Sequence, residues 1–263
     1  MPDLLTRNED GVLVLTMNRP DAMNALTSEM TALMLDALRN AVDNDDVGCV
    51  LVTGAGPRAF CSGGDVKAMA SGTKNLGTFE AKVNDLRSRM EVSRLLHEMP
   101  LPTVAMVNGV AAGAGLSIAL ACDMRYVGRS ARMTTAFAKV GFSGDFGGHY
   151  FLHRLLGPAK ARELYFTADI LDSKQIEALG LANRVVDDAA LEAETMEFCK
   201  RLASGPRVAY ALMKGNMKIA EEGTLVEALD GEAWRLTRAR DTEDHKEAAR
   251  AFVEKRKPVF KGR

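Results

Sequence analysis

Three short apolar runs constrain this chain more than any other feature: "VLVLTM" (Val12 to Met17), "CVLVT" (Cys49 to Thr53) and "TVAMV" (Thr103 to Val107). Each is strand-length, rich in valine and bounded by Gly, Pro or Asn. Helical patterns lie between them. Met23, Leu26, Met30, Leu33, Ala37 and Ala41 recur at three- and four-residue steps, as one helix face requires, and Leu116, Ala119 and Leu120 begin another helix after Gly113 and Gly115. Strands alternating with helices predict an α/β core around a largely buried sheet. From about Leu191 the strand signal disappears. "LEAETMEFCKRLAS", "PRVAYALMKGNMKIAEE", "TLVEALDGEAWRLTRAR" and "TEDHKEAARAFVEKRK" read as four helices, three of them opening on Pro or Thr. The expected organisation is an α/β core over residues 1–190 and a helical region over 191–263 suited to packing or oligomerisation.

The 263 residues suffice for a substantial core, and 47% hydrophobic with 26% charged residues is ordinary for a globular protein. A net charge of −1 gives no electrostatic case for nucleic acid or an anionic membrane surface, so an anionic partner must be held by local groups. Cys49, Cys61, Cys122 and Cys199 are far apart and form no C-x-x-C pair, which fits buried reduced thiols in a cytoplasmic protein better than a disulfide framework or zinc site. The first twenty residues show no signal peptide, and no run of about 18 apolar residues would span a membrane.

Two glycine-bearing segments follow strands: "TGAGPRAFCSGGDVKAM" (Thr53 to Met69) and "VNGVAAGAGLSIALACD" (Val107 to Asp123). Neither contains the phosphate-loop pattern G-x-x-x-x-G-K-[ST], and G-x-G-x-x-G fails at Ala59 and at Ile118. Nor is there a G-x-S-x-G elbow. Small residues there let another molecule approach backbone N–H groups, and two such loops facing one point would make an oxyanion hole; two tight turns with close helix–strand packing explain the spacing equally well.

"VGFSGDFGGHYFLHRLLG" (Val140 to Gly157) sets one carboxylate, Asp145, among small residues ahead of two histidines. Asp145 reads either as an N-cap for the apolar helix that follows or as a base in space cleared by glycines. Asp145, His149 and His153 recur at steps of four and would share a face of a continuous helix, as a dyad or a metal site requires; "HYFLH" lacks the Glu of H-E-x-x-H, so no metal is expected. His97 and His245 read as solvated positions on helix faces.

Six segments in order resemble the crotonase, or enoyl-CoA hydratase/isomerase, superfamily over nearly the whole chain. They are "NRPDAMNAL" (Asn18 to Leu26), "AFCSGGDVKAM" (Ala59 to Met69), "PTVAMVNGVAAGAGLSIALACD" (Pro102 to Asp123), Gly147–Gly148, "ADILDSKQIEALGLANRVV" (Ala168 to Val186) and "TEDHKEAARAFVEKRKPVF" (Thr242 to Phe260). The resemblance implies a spiral of ββα turns followed by a helical region that builds trimers, often paired into hexamers. It implies an acyl-CoA thioester as substrate, with no separate cofactor, its oxygen held by the backbone N–H groups of Gly64 and Ala114. Lys67 falls where the family contacts CoA. Backbone groups near Ala25 and Ala59 to Cys61 match those that hold the adenine end, and Phe252 and Lys255 match positions that reach CoA phosphate, often from a neighbouring subunit. Residues 70 to 90 fall where the family shapes its acyl pocket.

The departures from the family pattern narrow the chemistry. The two glutamates of family hydratases fall at Ser117 and Phe137, neither able to act as a base, and Phe137 would exclude water from its side of the pocket. Asp145 falls where superfamily isomerases carry a single catalytic Asp or Glu, and where the dehalogenase branch has its nucleophile. The resemblance therefore favours an enoyl-CoA isomerase working through a thioester enolate with Asp145 as base. Alternatives are hydration or carbon–carbon cleavage by an Asp145–His149 pair, or a crotonase-fold binding protein without catalysis.

Overall fold

The computed structural model describes residues 2–65 and 77–263; Lys67, expected to contact CoA, the rest of the glycine-bearing segment after Asp65, and residues 70–76 of the expected acyl-pocket region lie outside them. The chain builds two sheets. The larger has the order β1-β2-β3-β5-β7-β9, from β1 (Leu4–Glu9), β2 (Val12–Met17), β3 (Cys49–Gly54), β5 (Thr103–Val107), β7 (Met124–Gly128) and β9 (Arg184–Val186). The β1–β2 pair is antiparallel and every later pair is parallel. The smaller sheet, β4-β6-β8, joins β4 (Ala59–Cys61), β6 (Val110–Ala112) and β8 (Arg132–Thr134). The pairs β3–β4, β5–β6 and β7–β8 each lay one strand in the large sheet and one in the small sheet before the chain enters a helix, so the ββα spiral expected from the resemblance is the architecture observed.

The three valine-rich runs are β2, β3 and β5, and β3 and β5 are buried along their whole length. Burial on both faces explains their unbroken apolar character. One face packs α1 (Ser28–Val42) and, behind the small sheet, α4 (Ala114–Ala121) in a core that includes Met30, Met34, Leu38, Phe60, Leu96 and Ile118. The other face, with Val14, Leu51 and Met106, is covered by α7 (Leu191–Ala203) through Leu191, Met196 and Cys199. α2 (Phe79–Arg89) and α3 (Glu91–Glu98) connect β4 towards β5. All four cysteines are free and buried.

α1 differs from the expected face. It starts at Ser28, where the Thr27 side chain accepts the Met30 N–H, so Met23 and Leu26 precede it. The buried stripe is Met30, Met34, Leu38 and Ala41, while Leu33 faces outwards. α5 (Gly148–Thr167) is two helical pieces: Gly157, at φ 75° and ψ 170°, breaks it ahead of Pro158, which cannot supply an interior N–H. α6 (Ser173–Ala178) leads to β9.

The four C-terminal helices form as read: α7, α8 (Arg207–Glu222), α9 (Leu225–Arg240) and α10 (Glu243–Glu254), with Thr224 and Thr242 capping the last two. Lys214 on α8 is tied to the core, since its Nζ lies 2.8 Å from Asp123 Oδ2, which also accepts the Thr103 N–H at 2.8 Å. α8, α9 and α10 expose Met213, Met217, Leu229, Trp234, Leu236 and Phe252. Among the described residues no helix is long and apolar enough to cross a membrane.

Candidate active site

The chain leaving β4 and the chain entering α4 run against each other. After Cys61, the Gly63 N–H donates to Cys61 Sγ (3.4 Å). The Gly63 backbone passes so close to α4 that a Cβ on it would lie 2.9 Å from Ala112 O and 3.4 Å from Ala114 N. Gly113, at φ 55° and ψ −126°, turns the chain into the helix that begins at Ala114. Among the described residues neither the Gly64 nor the Ala114 N–H has an acceptor. Two spare backbone donors thus sit in one corner, one of them at the positive end of a buried helix.

The same loop is held from the N-terminal side. Ser62 N donates to Met23 O (3.0 Å) and Leu26 N to Gly63 O (2.8 Å). Arg19 Nη1 donates both to Asp65 Oδ2 (3.0 Å) and to the Ala25 carbonyl (2.9 Å). Asn24 is wholly buried: its Nδ2 donates to Ala55 O (3.0 Å) and Ala59 O (2.7 Å), and its Oδ1 accepts from Arg19 N (3.0 Å). Ala25 and Ala59 to Cys61 are therefore brought side by side, with the Ala25 and Ala59 carbonyls each already accepting one bond. Arg19 and Asp65 escaped the sequence reading, although "NRP" and "SGGD" carry them. Phe252 and Lys255 lie at the end of α10; Phe252 is 85% exposed, and none of the hydrogen bonds, ion pairs or ring contacts of the described residues ties either to this corner.

Asp145 is not the cap of α5. The N-cap is Gly147, at φ 77°, and no side chain caps that helix; only the Asp145 backbone carbonyl takes part, accepting the Gly148 N–H (3.2 Å). Its carboxylate faces inwards. Oδ1 is buried with no hydrogen-bond partner among the described residues. Burial pushes the carboxyl up from its ordinary 3.8 to about 6, partly offset by the Arg89 guanidinium at the end of α2. The negative charge reaches two neighbours. The Cys61 thiol is driven up to about 12 by burial and then by Asp145, and the Tyr165 phenol is held well above its usual range by the same two causes.

Asp145, His149 and His153 do not converge. Asp145 precedes the helix, and His153 points to solvent from its second turn. The His149 ring instead stacks on Tyr165, with centroids 3.7 Å apart and planes 15° apart, and burial lowers its pKa. No hydrogen bond joins it to Asp145, so the expected pair is not formed in this structure. Among the described residues no three His, Cys, Asp or Glu side chains group as metal ligands. His97 is not the solvated residue expected: it packs edge-on against Tyr150 and Phe151 and lies 3.3 Å from Glu221. His245 is exposed.

Tyr165 also stacks with Phe137, parallel within 2° with centroids 6.0 Å apart, and Phe137 itself packs 3.6 Å from where a Cβ on Gly113 would be. Phe137 is buried. Ser117 is buried one turn into α4. Tyr165 was missed because it lies far along α5. The one available signal was the Gly157–Pro158 dipeptide, which marks the break that folds the helix back.

The turns after β4 and β6 thus leave two spare backbone donors in one corner of a ββα spiral, and Asp145 lies near enough to raise the Cys61 thiol beside them. A profile of the family described as enoyl-CoA hydratase/isomerase matches residues 7–263. The chain is 35% identical to the 1,2-epoxyphenylacetyl-CoA isomerase of Escherichia coli K12 over the full length of both. It is 34% identical to the short-chain-enoyl-CoA hydratase of Clostridium acetobutylicum, over 97% of this chain and 96% of that one. A crystal structure of an enoyl-CoA hydratase from Bacillus anthracis superposes with a TM-score of 0.93 at 27% identity, covering 99% of this chain and 100% of the other. The chain belongs to the enoyl-CoA hydratase/isomerase family.

Proposed function

We propose that within this family the chain is an isomerase of acyl-CoA thioesters, with Asp145 as the single base. The observation that carries this reading is the buried Asp145 Oδ1, without a hydrogen-bond partner among the described residues, its carboxyl pushed by burial from 3.8 to about 6. A group so placed is ionised at neutral pH yet basic enough to take a proton from carbon next to a thioester and return it elsewhere. The enolate formed in between places its charge on the thioester oxygen, which the Gly64 and Ala114 N–H groups would hold; each such donor is worth about 3 kcal/mol in the transition state. Ser117 and Phe137 support the reading, because a hydroxyl and a phenyl stand where two-carboxylate water addition would need acids. The 1,2-epoxyphenylacetyl-CoA isomerase relative agrees with it.

The same proposal takes Ala25, Ala59, Cys61 and Lys67 as the CoA-binding side. Phe252 and Lys255 reach CoA phosphate from a neighbouring copy. The apolar residues left exposed on α8, α9 and α10 support assembly into a trimer or a dimer of trimers. Hydration remains the second reading, because the Clostridium relative bears that name. Incubation of the purified protein with 3-enoyl- and 2-enoyl-CoA thioesters separates the two by mass. Isomerisation leaves the mass of the thioester unchanged, whereas a product heavier by one water as the main outcome would overturn the proposal.

A further inference from the structure

We propose that Ser117 and Tyr165 are positioning residues that hold and polarise the Gly113–Ala114 peptide group and so strengthen the Ala114 N–H as a donor. The inference rests on the role proposed for Ala114 above.

The Gly113 carbonyl accepts two bonds, from Ser117 N (3.0 Å) and from Ser117 Oγ (3.2 Å). The first is the ordinary bond of a helix start, and the second spends the only proton of the serine hydroxyl. A back-bond of that kind is common in helices. What it does not explain is a buried phenol brought beside the serine side chain. The Tyr165 and Ser117 oxygens crowd one spot over Gly148, where an added Cβ would lie 2.4 Å from the first and 2.5 Å from the second, which brings the phenol within reach of the serine oxygen. Because the serine proton is already directed at Gly113, a bond between the two hydroxyls would have the phenol O–H as its donor.

The proposed relay runs from the Tyr165 O–H to the Ser117 O–H and, by the bond already formed, to the Gly113 C=O. That carbonyl belongs to the same planar peptide as the Ala114 N–H. Each bond drawing density onto the carbonyl oxygen makes the N–H a stronger donor, by roughly 10–30% per bond. The phenol is fixed by its stacks on Phe137 and His149, and burial beside Asp145 keeps it protonated, hence a donor, across the neutral range. The position that holds a glutamate in family hydratases is here occupied by the middle link of the relay. His149 thus acts on the site by bracing Tyr165.

The test uses the intact protein with [1-13C]butyryl-CoA, a saturated probe, and reads the labelled carbonyl stretch by infrared difference spectroscopy. Binding to the parent is expected to shift the stretch to lower wavenumber. Tyr165→Phe should lose part of that shift, Ser117→Ala more, and the double variant no more than Ser117→Ala, since the phenol acts only through the serine. Ser117→Thr, which keeps the hydroxyl, should restore the parent shift, and this arm stands even if Ser117→Ala folds poorly. For Tyr165→Phe, kcat for α-proton exchange should fall about two- to fivefold with KM nearly constant. An equal shift in the parent and both single variants overturns the relay while leaving the oxyanion reading intact. No shift on binding to the parent overturns both.

Discussion

Replacing Asp145 with Asn should stabilise the fold while disabling it, and the gain should depend on pH. The carboxyl sits at about 6 in the folded chain against 3.8 ordinarily, because burial opposes its charge more than Arg89 favours it. For an acid raised on folding, the folded state binds the proton more tightly, so its favourable contribution is complete below about 3.8 and is lost as pH rises through about 6. Above pH 7 the ionised carboxylate costs about 3 kcal/mol at 1.36 kcal/mol per unit; solvent still reaches part of the side chain, so about 2 kcal/mol is the working figure. Asn keeps the shape and carries no charge. At pH 8 Asp145→Asn should therefore melt about 4–8 °C above the parent, and at pH 4 the two should nearly coincide. Calorimetric melts across pH 4 to 8 measure this. A difference that does not change with pH, or a variant less stable at pH 8, would refute a charge that burial holds at a cost.

Other consequences follow from the same geometry. The pH profile of kcat/KM should rise to a plateau with its limb near pH 6, the ionisation of Asp145, and Arg89→Met should move that limb upwards, because removing the cation removes the influence that lowers the carboxyl. A profile flat from pH 5 to 8 would contradict the assignment. Gly115→Ala puts a Cβ 2.2 Å from the Cys61 carbonyl, so α4 and β4 must separate; isomerisation should fall at least tenfold, and melting should show a loss of about 1–3 kcal/mol. Asn24→Ala strands the Ala55 and Ala59 carbonyls and the Arg19 N–H and should cost about 2–3 kcal/mol in denaturant unfolding.

The sequence made the central strands legible because burial on both faces leaves an unbroken valine-rich signature, and β2, β3 and β5 fall where it occurs. It hid β4, β6 and β8, three residues each, since runs such as Ala59–Cys61 and Val110–Ala112 are too short to show a period. The two backbone donors were readable as positions, through glycine spacing and family resemblance. Their closeness was not, because it depends on Gly63 passing against Ala114. Asp145 was visible as a lone carboxylate among glycines, but its escape from capping follows from Gly147 taking the cap in a left-handed conformation. Tyr165 was the least legible. On an unbroken helix it would lie about 24 Å from His149, and the break at Gly157 brings the rings to 3.7 Å.

The central claim is that Asp145 removes a proton from carbon beside a thioester held by the corner of Gly64 and Ala114. Mass spectrometry of acyl-CoA thioesters incubated with the protein in deuterated water tests it most directly. The account predicts deuterium entering the α-carbon with the parent, and a rate lower by about 10²–10⁴ with Asp145→Asn although the thioester still binds. Exchange by Asp145→Asn at the parent rate would contradict it.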